Sequence, residues 1–201
     1  NNKETKLNYF NNVFKISGDG LIDDTFSLLI NSNLKAQSIQ ALLVKKKIIE
    51  KNNIKMVEGA AGQDTLFFQE LLINCNRIKA IDTVIHLYYA EVSNSVTNDI
   101  TSNFFGKYLK LEKERIKFLE SNKLLKHYVN YRLDSYFKGW YLVRVPRLKR
   151  SEYEKALNIL FDIYNLYKPY LSKKHEHFKL LEKAVKNNKY EKFVEYCKSI
   201  G

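Results

Sequence analysis

Apolar residues recur at every third or fourth position through the second half of the chain, from Phe104 to the end. Only seven glycines and two prolines, Pro146 and Pro169, interrupt the 201 residues, and both prolines lie in this half. Long helices are the regular structure that tolerates such a composition. The pattern therefore predicts an all-α region over residues 104–201 and a chain that is mostly α overall.

Helix boundaries follow from this periodicity and from its end signals. Helices are predicted over Phe104–Glu120, Leu124–Val143, residues 151–167, His175–Lys186 and Lys189–Ser199. Ser151 and Glu154 have the spacing of a capping box at the start of the third helix. Pro146 is expected to stop the second helix, and Pro169 is expected to end the third.

The first half alternates short helices with short β-prone runs. Asp24 is placed to cap a helix over Thr25–Asn31, and a second short helix should end at Asn52-Asn53. Residues 64–74 have helical period, and Ile78–Ile81 and Val84–Tyr89 favour strands. Asp19, Asp23 and Asp24 lack the ligand spacing of a calcium loop, so turn and cap roles are predicted for them.

Positive charge is confined to the second half. Residues 1–103 contain 11 basic and 11 acidic residues, whereas residues 104–201 contain 23 basic and 11 acidic, which accounts for the formal net charge of +12. The asymmetry predicts two modules, 1–103 and 104–201. The partner of the basic module is an open choice among nucleic acid, an anionic membrane surface and an acidic protein.

Aromatic and basic side chains are interleaved in the predicted helix Leu124–Val143. Such a face can bind nucleic acid by stacking, or it can lie on a membrane surface. A third interpretation is an aromatic core stripe whose flanking cations extend to solvent. The sequence favours the third without excluding the others.

One carboxylate, Asp64, stands where a glycine-bracketed loop, Gly59–Gly62, enters a helix. A carboxylate in a first helical turn is stabilised by free backbone N–H groups and by the helix dipole. The alternative is a general base at the mouth of a cleft, which the glycines would leave open to substrate. These residues alone do not choose between the two.

Residues 37–98 resemble the second half of the catalytic domain of bacterial family-two glycosyltransferases of the GT-A type. A short basic helix precedes an extended stretch, "IKMVEG", and the acidic motif reads Gln63-Asp64-Thr65. The motif "HLYY" from His86 to Tyr89 follows, and Ser95-Val96-Thr97 completes the likeness. Within the family, these motifs look most like enzymes that glycosylate serine-rich adhesins or build surface glycans.

The resemblance implies a fold and an activity. The fold would be an α/β, partial GT-A lead over 1–103, the acceptor side of the catalytic domain, followed by the helical region. The activity would be inverting transfer from a nucleotide sugar to a glycan or glycoprotein acceptor, with Asp64 as general base. Substrate contacts would come from residues matching the family motifs: Gln63, Thr65, His86, Tyr88, Tyr89 and Ser95.

Several features depart from the family pattern. Gln63 stands where the family has Glu, and Ala90 stands where it has Arg, so Lys107 or Lys110 would have to hold the diphosphate instead. No apolar strand leads into Asp23-Asp24, and these residues are not assigned to the family's metal motif. The Mn²⁺ or Mg²⁺ of the full-length enzyme is therefore expected outside this chain, which should be inactive alone. For His86, Tyr88 and Tyr89, the alternative to a substrate contact is a structural role.

The remaining sequence features concern the cellular location of the protein and an alternative function. Cys75 and Cys197 lack the spacing of a disulfide framework, and no apolar run of about 18 residues occurs. A cytoplasmic protein is expected, with peripheral membrane association as an option. Because the sequence starts without methionine, we expect it to be part of a longer protein. The alternative function is a basic helical binding module, without catalytic activity, for nucleic acid, a membrane surface or a partner protein.

Overall fold

The computed structural model describes residues 13–15, 19–36, 38–85, 99–173 and 175–201. Helix accounts for 67% and strand for 4%, which confirms the expected predominance of α structure. One compact unit contains the described residues up to Met56 and residues 63–85, and the other contains Val57–Gly62 and the described residues from 99 onward. The proposed division of function at residue 103 stays a prediction.

The first unit combines a small sheet with three helices. Its elements are β1 (Gly20–Ile22), α1 (Thr25–Asn31), a 3-10 turn (Ile39–Ala41), α2 (Lys46–Lys51), α3 (Gln63–Asn74) and β2 (Ile78–Ala80). β1 pairs antiparallel with β2, and Leu21 lies opposite Lys79. α1 and α2 pack against α3, which is the central element of the unit.

α3 is held by an apolar face and by a long-range hydrogen bond. Leu66, Phe68, Leu71 and Leu72 are buried along it. The amide of Gln69 donates from Nε2 to the Leu34 carbonyl at 2.6 Å, which ties the middle of α3 to the chain just after α1. Buried polar groups of this kind fix one arrangement, because an unpaired donor there would be costly.

Most expectations for this unit agree with the structure. Asp24 caps α1, since its Oδ1 accepts a hydrogen bond from the Ser27 amide at 2.8 Å. That contact also lowers the pKa of Asp24. The run Ile78–Ile81 supplies β2. The predicted strand Val84–Tyr89 is not formed at Val84 and Ile85, and its remaining residues lie outside the described part of the chain.

The second unit is helical. Its elements are α4 (Ser102–Ser121), α5 (Leu125–Tyr131), α6 (Leu133–Tyr136), a π turn (Phe137–Tyr141), a 3-10 segment (Leu142–Arg147), a 3-10 turn (Arg150–Glu152), α7 (Tyr153–Tyr167), a 3-10 turn (Lys168–Tyr170), α8 (Glu176–Lys186) and α9 (Tyr190–Ile200). α4 packs along α7, α8 packs on α7 and α9, and α9 covers the 3-10 segment. The predictions for α4, α8 and α9 are confirmed within two residues, and α7 ends at Tyr167, two residues before Pro169.

The predicted single helix Leu124–Val143 is wrong, because the chain there forms α5, α6 and the π turn. Its buried residues Val129, Leu133, Phe137 and Tyr141 are spaced four apart. Each step of four advances about 40° beyond a full helical turn, so a straight helix would rotate these side chains away from the core. The irregular backbone at Arg132 and the wider π turn absorb this drift.

Two end signals were also misread. Pro146 lies inside the 3-10 segment instead of ending a helix. The capping box at Ser151 and Glu154 is not formed, and Glu152 occupies the position before α7 without a side-chain cap. Glu152 instead accepts a hydrogen bond from the Ser102 amide at 2.7 Å. It therefore satisfies the start of α4, a contact between residues 50 apart that no local pattern predicts.

A buried ionic network crosses the core of the second unit. Glu112 and Arg115, on α4, are 1% and 2% exposed, and Arg115 Nη1 lies 3.4 Å from Glu112 Oε1. The hydroxyls of Tyr141 and Tyr167 donate to the two Glu112 oxygens at 2.7 and 2.5 Å. Arg115 in turn donates to the Tyr128 hydroxyl at 3.1 Å.

This network controls the ionisation of its members. Burial, opposed by the Arg115 charge, raises the pKa of Tyr128 to about 12. Burial disfavours the charged form of Arg115, but the Glu112 carboxylate and the surrounding tyrosines together outweigh it and raise the pKa of Arg115. Arg115 therefore stays charged, and the buried tyrosines stay neutral, across the physiological range.

Candidate active site

The three motif residues Gln63, Asp64 and Thr65 open α3 and are half-buried. Asp64 lies in the first turn, as the sequence predicts, where backbone N–H groups and the helix dipole stabilise a carboxylate. The other predicted contacts, His86, Tyr88, Tyr89 and Ser95, lie outside the described residues. Their roles stay predictions.

The loop Val57–Gly62 that leads into α3 has a backbone that requires glycine at two positions. Gly59 and Gly62 have φ angles of +69° and +67°, a region that side chains rarely adopt. At Gly62 an added Cβ would also lie 2.7 Å from Cε1 of Tyr108, inside any acceptable contact. The ring of Tyr108 therefore packs directly on the loop backbone, and α3 begins at the next residue.

α4 supplies the surface on which this loop rests. The Ala61 amide donates to the Lys107 carbonyl at 3.4 Å. The Nζ atom of Lys110 lies 3.2 Å from the position of a Cβ on Gly59, so a solvent-exposed ammonium stands beside the loop. Of the two lysines proposed from the sequence as diphosphate ligands, Lys110 brings its charge to the loop, whereas Lys107 contributes a backbone carbonyl.

Tyr108 is held rigidly by other aromatic rings. It is 2% exposed, and its ring centroid lies 4.9 Å from that of Phe104, 5.5 Å from Tyr141 and 6.0 Å from Trp140. Such edge and tilted contacts favour one orientation of each ring. The support beneath the loop is thus a packed cluster, not a mobile side chain.

A stacked arginine covers Trp140. The guanidinium of Arg144 lies 3.7 Å from the Trp140 ring centroid, and its Nη1 donates to the Trp140 carbonyl at 2.7 Å. Tyr128, Phe137 and Tyr141 are buried. The interpretation of this region as an aromatic core stripe with flanking cations is correct for these residues.

The acidic residues near β1 are occupied by structural contacts. Asp24 caps α1, Asp19 Oδ1 accepts from the Asp82 amide at 2.7 Å, and Asp23 lies 3.9 Å from Arg77 Nε. Within the described ranges, no group of three or more His, Cys, Asp and Glu side chains could hold a metal ion. These residues do not fit the divalent cation that the family resemblance implies.

Neither cysteine is activated as a nucleophile. Burial raises the pKa of the Cys75 thiol, and it raises the pKa of Cys197 to about 12. Both thiols are free, and both are held in the protonated form, which is a poor nucleophile.

A second titratable cluster joins α6 to the start of α8. His175 Nδ1 and His177 Nε2 lie 3.0 and 3.6 Å from Asp134 Oδ1, and Lys138 Nζ lies 3.4 Å from Asp134 Oδ2. His177 is 1% exposed and packs against Phe178. Burial, only partly offset by the Asp134 charge, lowers the pKa of His177 from 6.5 to about 4.

Acid should destabilise the second unit through His177. Between pH 6.5 and about 4 the unfolded chain binds a proton at this residue and the folded chain does not. The free energy of unfolding should therefore fall by about 3 kcal/mol over this range, beyond the carboxylate effects at lower pH. Urea unfolding followed by Trp140 fluorescence at several pH values measures it. In His177→Phe this component should vanish, and an unchanged pH profile in that variant would contradict the assignment.

Comparison with protein-family models, curated proteins and solved structures finds no significant match. None of the described helices is long and apolar enough to cross a membrane. The functional interpretation therefore depends on the residues themselves and on the motif resemblance.

Sequence reasoning missed the support of the loop. Tyr108 carries the helical spacing of a core residue in α4, and that pattern contains no sign that its ring meets the backbone at Gly62. The two glycines were the available signal, because glycine at both ends of a short loop indicates positive φ angles or close packing. That signal does not say which side chain makes the contact.

Proposed function

We propose that this chain is the acceptor-side part of an inverting glycosyltransferase, with Asp64 as the general base. The observation that carries the proposal is the position of Asp64, half-buried in the first turn of α3, directly after a loop that needs glycine at Gly59 and Gly62. A helix start is the kind of element on which a base can be held in one place. The motif resemblance over residues 37–98 supplies the reaction.

The proposed step transfers one glycosyl group. Asp64 takes the proton of an acceptor hydroxyl, and the hydroxyl oxygen forms a bond to the anomeric carbon. The bond from that carbon to the phosphate oxygen breaks, and the nucleoside diphosphate leaves with the electron pair on the opposite face. A base positioned for such a proton transfer contributes roughly 10²–10⁴ in rate.

Of Lys107 and Lys110, we propose Lys110 for the role that the family gives to the arginine replaced by Ala90. Its ammonium lies beside Gly59, and its side chain is exposed. A flexible point charge of this kind can attract a diphosphate without bidentate geometry. Gln63 removes the negative charge that the family places before the base, which leaves fewer like charges near an incoming anion.

The finer identity of the enzyme is also proposed from the resemblance. The first unit would belong to a GT-A-type domain, and the acceptor would be a glycan or glycoprotein, such as a serine-rich adhesin or a surface glycan. The enzyme would act in the cytoplasm, with peripheral contact to the membrane. Its donor site and its Mn²⁺ or Mg²⁺ would lie outside this chain.

Residues 1–201 should therefore bind a nucleoside diphosphate weakly or not at all, with or without Mn²⁺, since only the acceptor side is present. Isothermal titration calorimetry with uridine diphosphate as the probe measures this. Metal-dependent binding in the range of about 10⁻⁶ M would show that the donor site has been misplaced.

A transfer assay tests the proposal as a whole. An enzyme in which a donor-binding unit precedes these residues should release nucleoside diphosphate from a nucleotide sugar only when an acceptor is present. Release that does not depend on acceptor, or no release with any common nucleotide sugar, would leave the rival basic binding module as the better account.

If its partner is nucleic acid, the rival binding module predicts strong binding of DNA or RNA, and we expect the opposite. Three of the aromatic rings that could stack on bases, Tyr128, Phe137 and Tyr141, are buried in the second unit, whereas Tyr131 is 62% exposed. Residues 104–201 should bind generic DNA or RNA no tighter than roughly 10⁻⁵ M at physiological salt, the nonspecific range. Fluorescence anisotropy over a salt series measures this. Submicromolar, sequence-dependent binding would favour the rival.

A further inference from the structure

The segment Ser38–Lys47 of the first unit, here called the Leu43 loop, presents an apolar side chain to solvent. After the 3-10 turn the backbone becomes extended, and Leu42 has φ −122° and ψ 137°. Successive side chains then point to opposite sides, as in a strand. Leu42 and Val44 are half-buried, whereas Leu43 is 102% exposed. Ile39, in the same loop, is 38% exposed.

Positive charge follows immediately. Lys45, Lys46 and Lys47 are exposed, and Lys46 forms an exposed pair with Glu50 at 3.0 Å. Among the described residues, no carboxylate lies within ion-pair distance of Lys45 or Lys47. The loop thus combines a fully exposed leucine with three consecutive lysines, of which Lys45 and Lys47 have no carboxylate beside them among the described residues.

This combination suits one class of partner. An anionic lipid surface attracts lysines by its surface potential and accepts an apolar side chain at the boundary of headgroups and acyl chains. Nucleic acid would attract the lysines but gains nothing from an isolated leucine. We propose that the Leu43 loop docks reversibly on anionic membranes, with Leu43 inserted and Lys45–Lys47 among the lipid headgroups.

The proposal moves the membrane contact from the basic second half to the first unit. The first unit carries little net charge, so its attraction to a membrane is local to the loop. One leucine and three lysines predict weak, salt-sensitive binding, not permanent anchoring. The contact is independent of the glycosyltransferase proposal, because it needs no substrate.

The apolar part of the contact is tested with the whole chain and sedimented vesicles of equal parts phosphatidylglycerol and phosphatidylcholine. Leu43→Ser should weaken partitioning by about tenfold, since a leucine loses its burial in the membrane. The matched control is Leu21→Ser in β1, where the leucine is 58% exposed and should not touch the membrane. Equal losses in both variants would overturn the proposal.

The charged part is tested by substituting three lysines at a time. Replacing Lys45, Lys46 and Lys47 together with glutamine should weaken partitioning by about a hundredfold, at roughly fivefold for each lysine. The control replaces three exposed lysines of the second unit with glutamine, and it should change partitioning by less than about threefold. The control lysines are Lys183, Lys189 and Lys192.

The outcomes separate local docking from general attraction. A loss in the control triple as large as in the loop triple would mean that the whole basic chain is attracted, which overturns the proposal. Absence of wild-type binding to these vesicles at low salt would overturn it as well. Equal binding to pure phosphatidylcholine vesicles would exclude the proposed role of the lysines.

Discussion

Replacing Asp64 with asparagine should reduce sugar transfer by the whole enzyme at least about a hundredfold, because asparagine cannot accept the acceptor proton. Binding of the nucleotide sugar should stay nearly unchanged, since only the base is lost. The measurement is the rate of nucleoside diphosphate release with saturating donor and acceptor. The loss should appear in kcat.

The same variant should fold normally, which makes the assay interpretable. Asparagine keeps a side-chain oxygen at the start of α3, and the charge lost from the helix dipole is worth about 0.3–1 kcal/mol. Glu58→Gln is the matched control. It removes an exposed carboxylate that lies in the loop, directly before Gly59. Turnover near the wild-type rate in Asp64→Asn would reduce Asp64 to a residue that stabilises the helix start.

Arg115→Met should lower the free energy of unfolding by about 3–5 kcal/mol, the usual cost of leaving one member of a buried ion pair without its partner. Glu112 would remain buried with two tyrosine hydroxyls donating to it and no cation beside it. The measurement is urea unfolding at neutral pH, followed by fluorescence of Trp140, the single tryptophan, which lies in the second unit.

Two further variants test whether the loss of stability comes from breaking a buried ion pair or from removing any cation of α4. Lys117→Met breaks an exposed pair with Glu114 on the same helix, also spaced three apart, and should cost less than about 1 kcal/mol. The double variant Glu112→Gln with Arg115→Met should regain much of the stability, since an amide oxygen still accepts from the tyrosines and no charge is left uncompensated. A double variant as unstable as Arg115→Met alone would show that packing, not charge, causes the loss.

The position of Asp64 could be predicted from the sequence because its signals are local. A loop with two glycines, an acidic residue and a run with helical period lie within a dozen positions, and they specify a helix start with a carboxylate in its first turn. The identity of the residues around the loop could not be predicted in this way. Tyr108 and Lys110 are more than 40 positions away, and their contacts arise only when α4 packs.

The same distinction between local signals and tertiary packing applies to the helix ends in the second half. α4, α8 and α9 have end positions that agree with periodicity, since each buries one regular stripe. The prediction for the segment after Leu124 is wrong, because its buried residues are spaced four apart. These residues all reach the core only if the helix is interrupted and widens to a π turn. Glu152 similarly satisfies α4 instead of the helix that follows it in sequence.

The sequence by itself determined the mostly helical character, the placement of α3, α4, α8 and α9 and the location of net charge, all of which depend on spacing and composition. Tertiary structure alone decided which polar residues became a buried network, which ring supports the loop before α3, and which leucine stays in solvent. Glu112 and Arg115 have the spacing of an ordinary surface pair, as Glu114 and Lys117 do. Only the packing of α7 and the π turn over the first pair removes water from it and makes its partners indispensable.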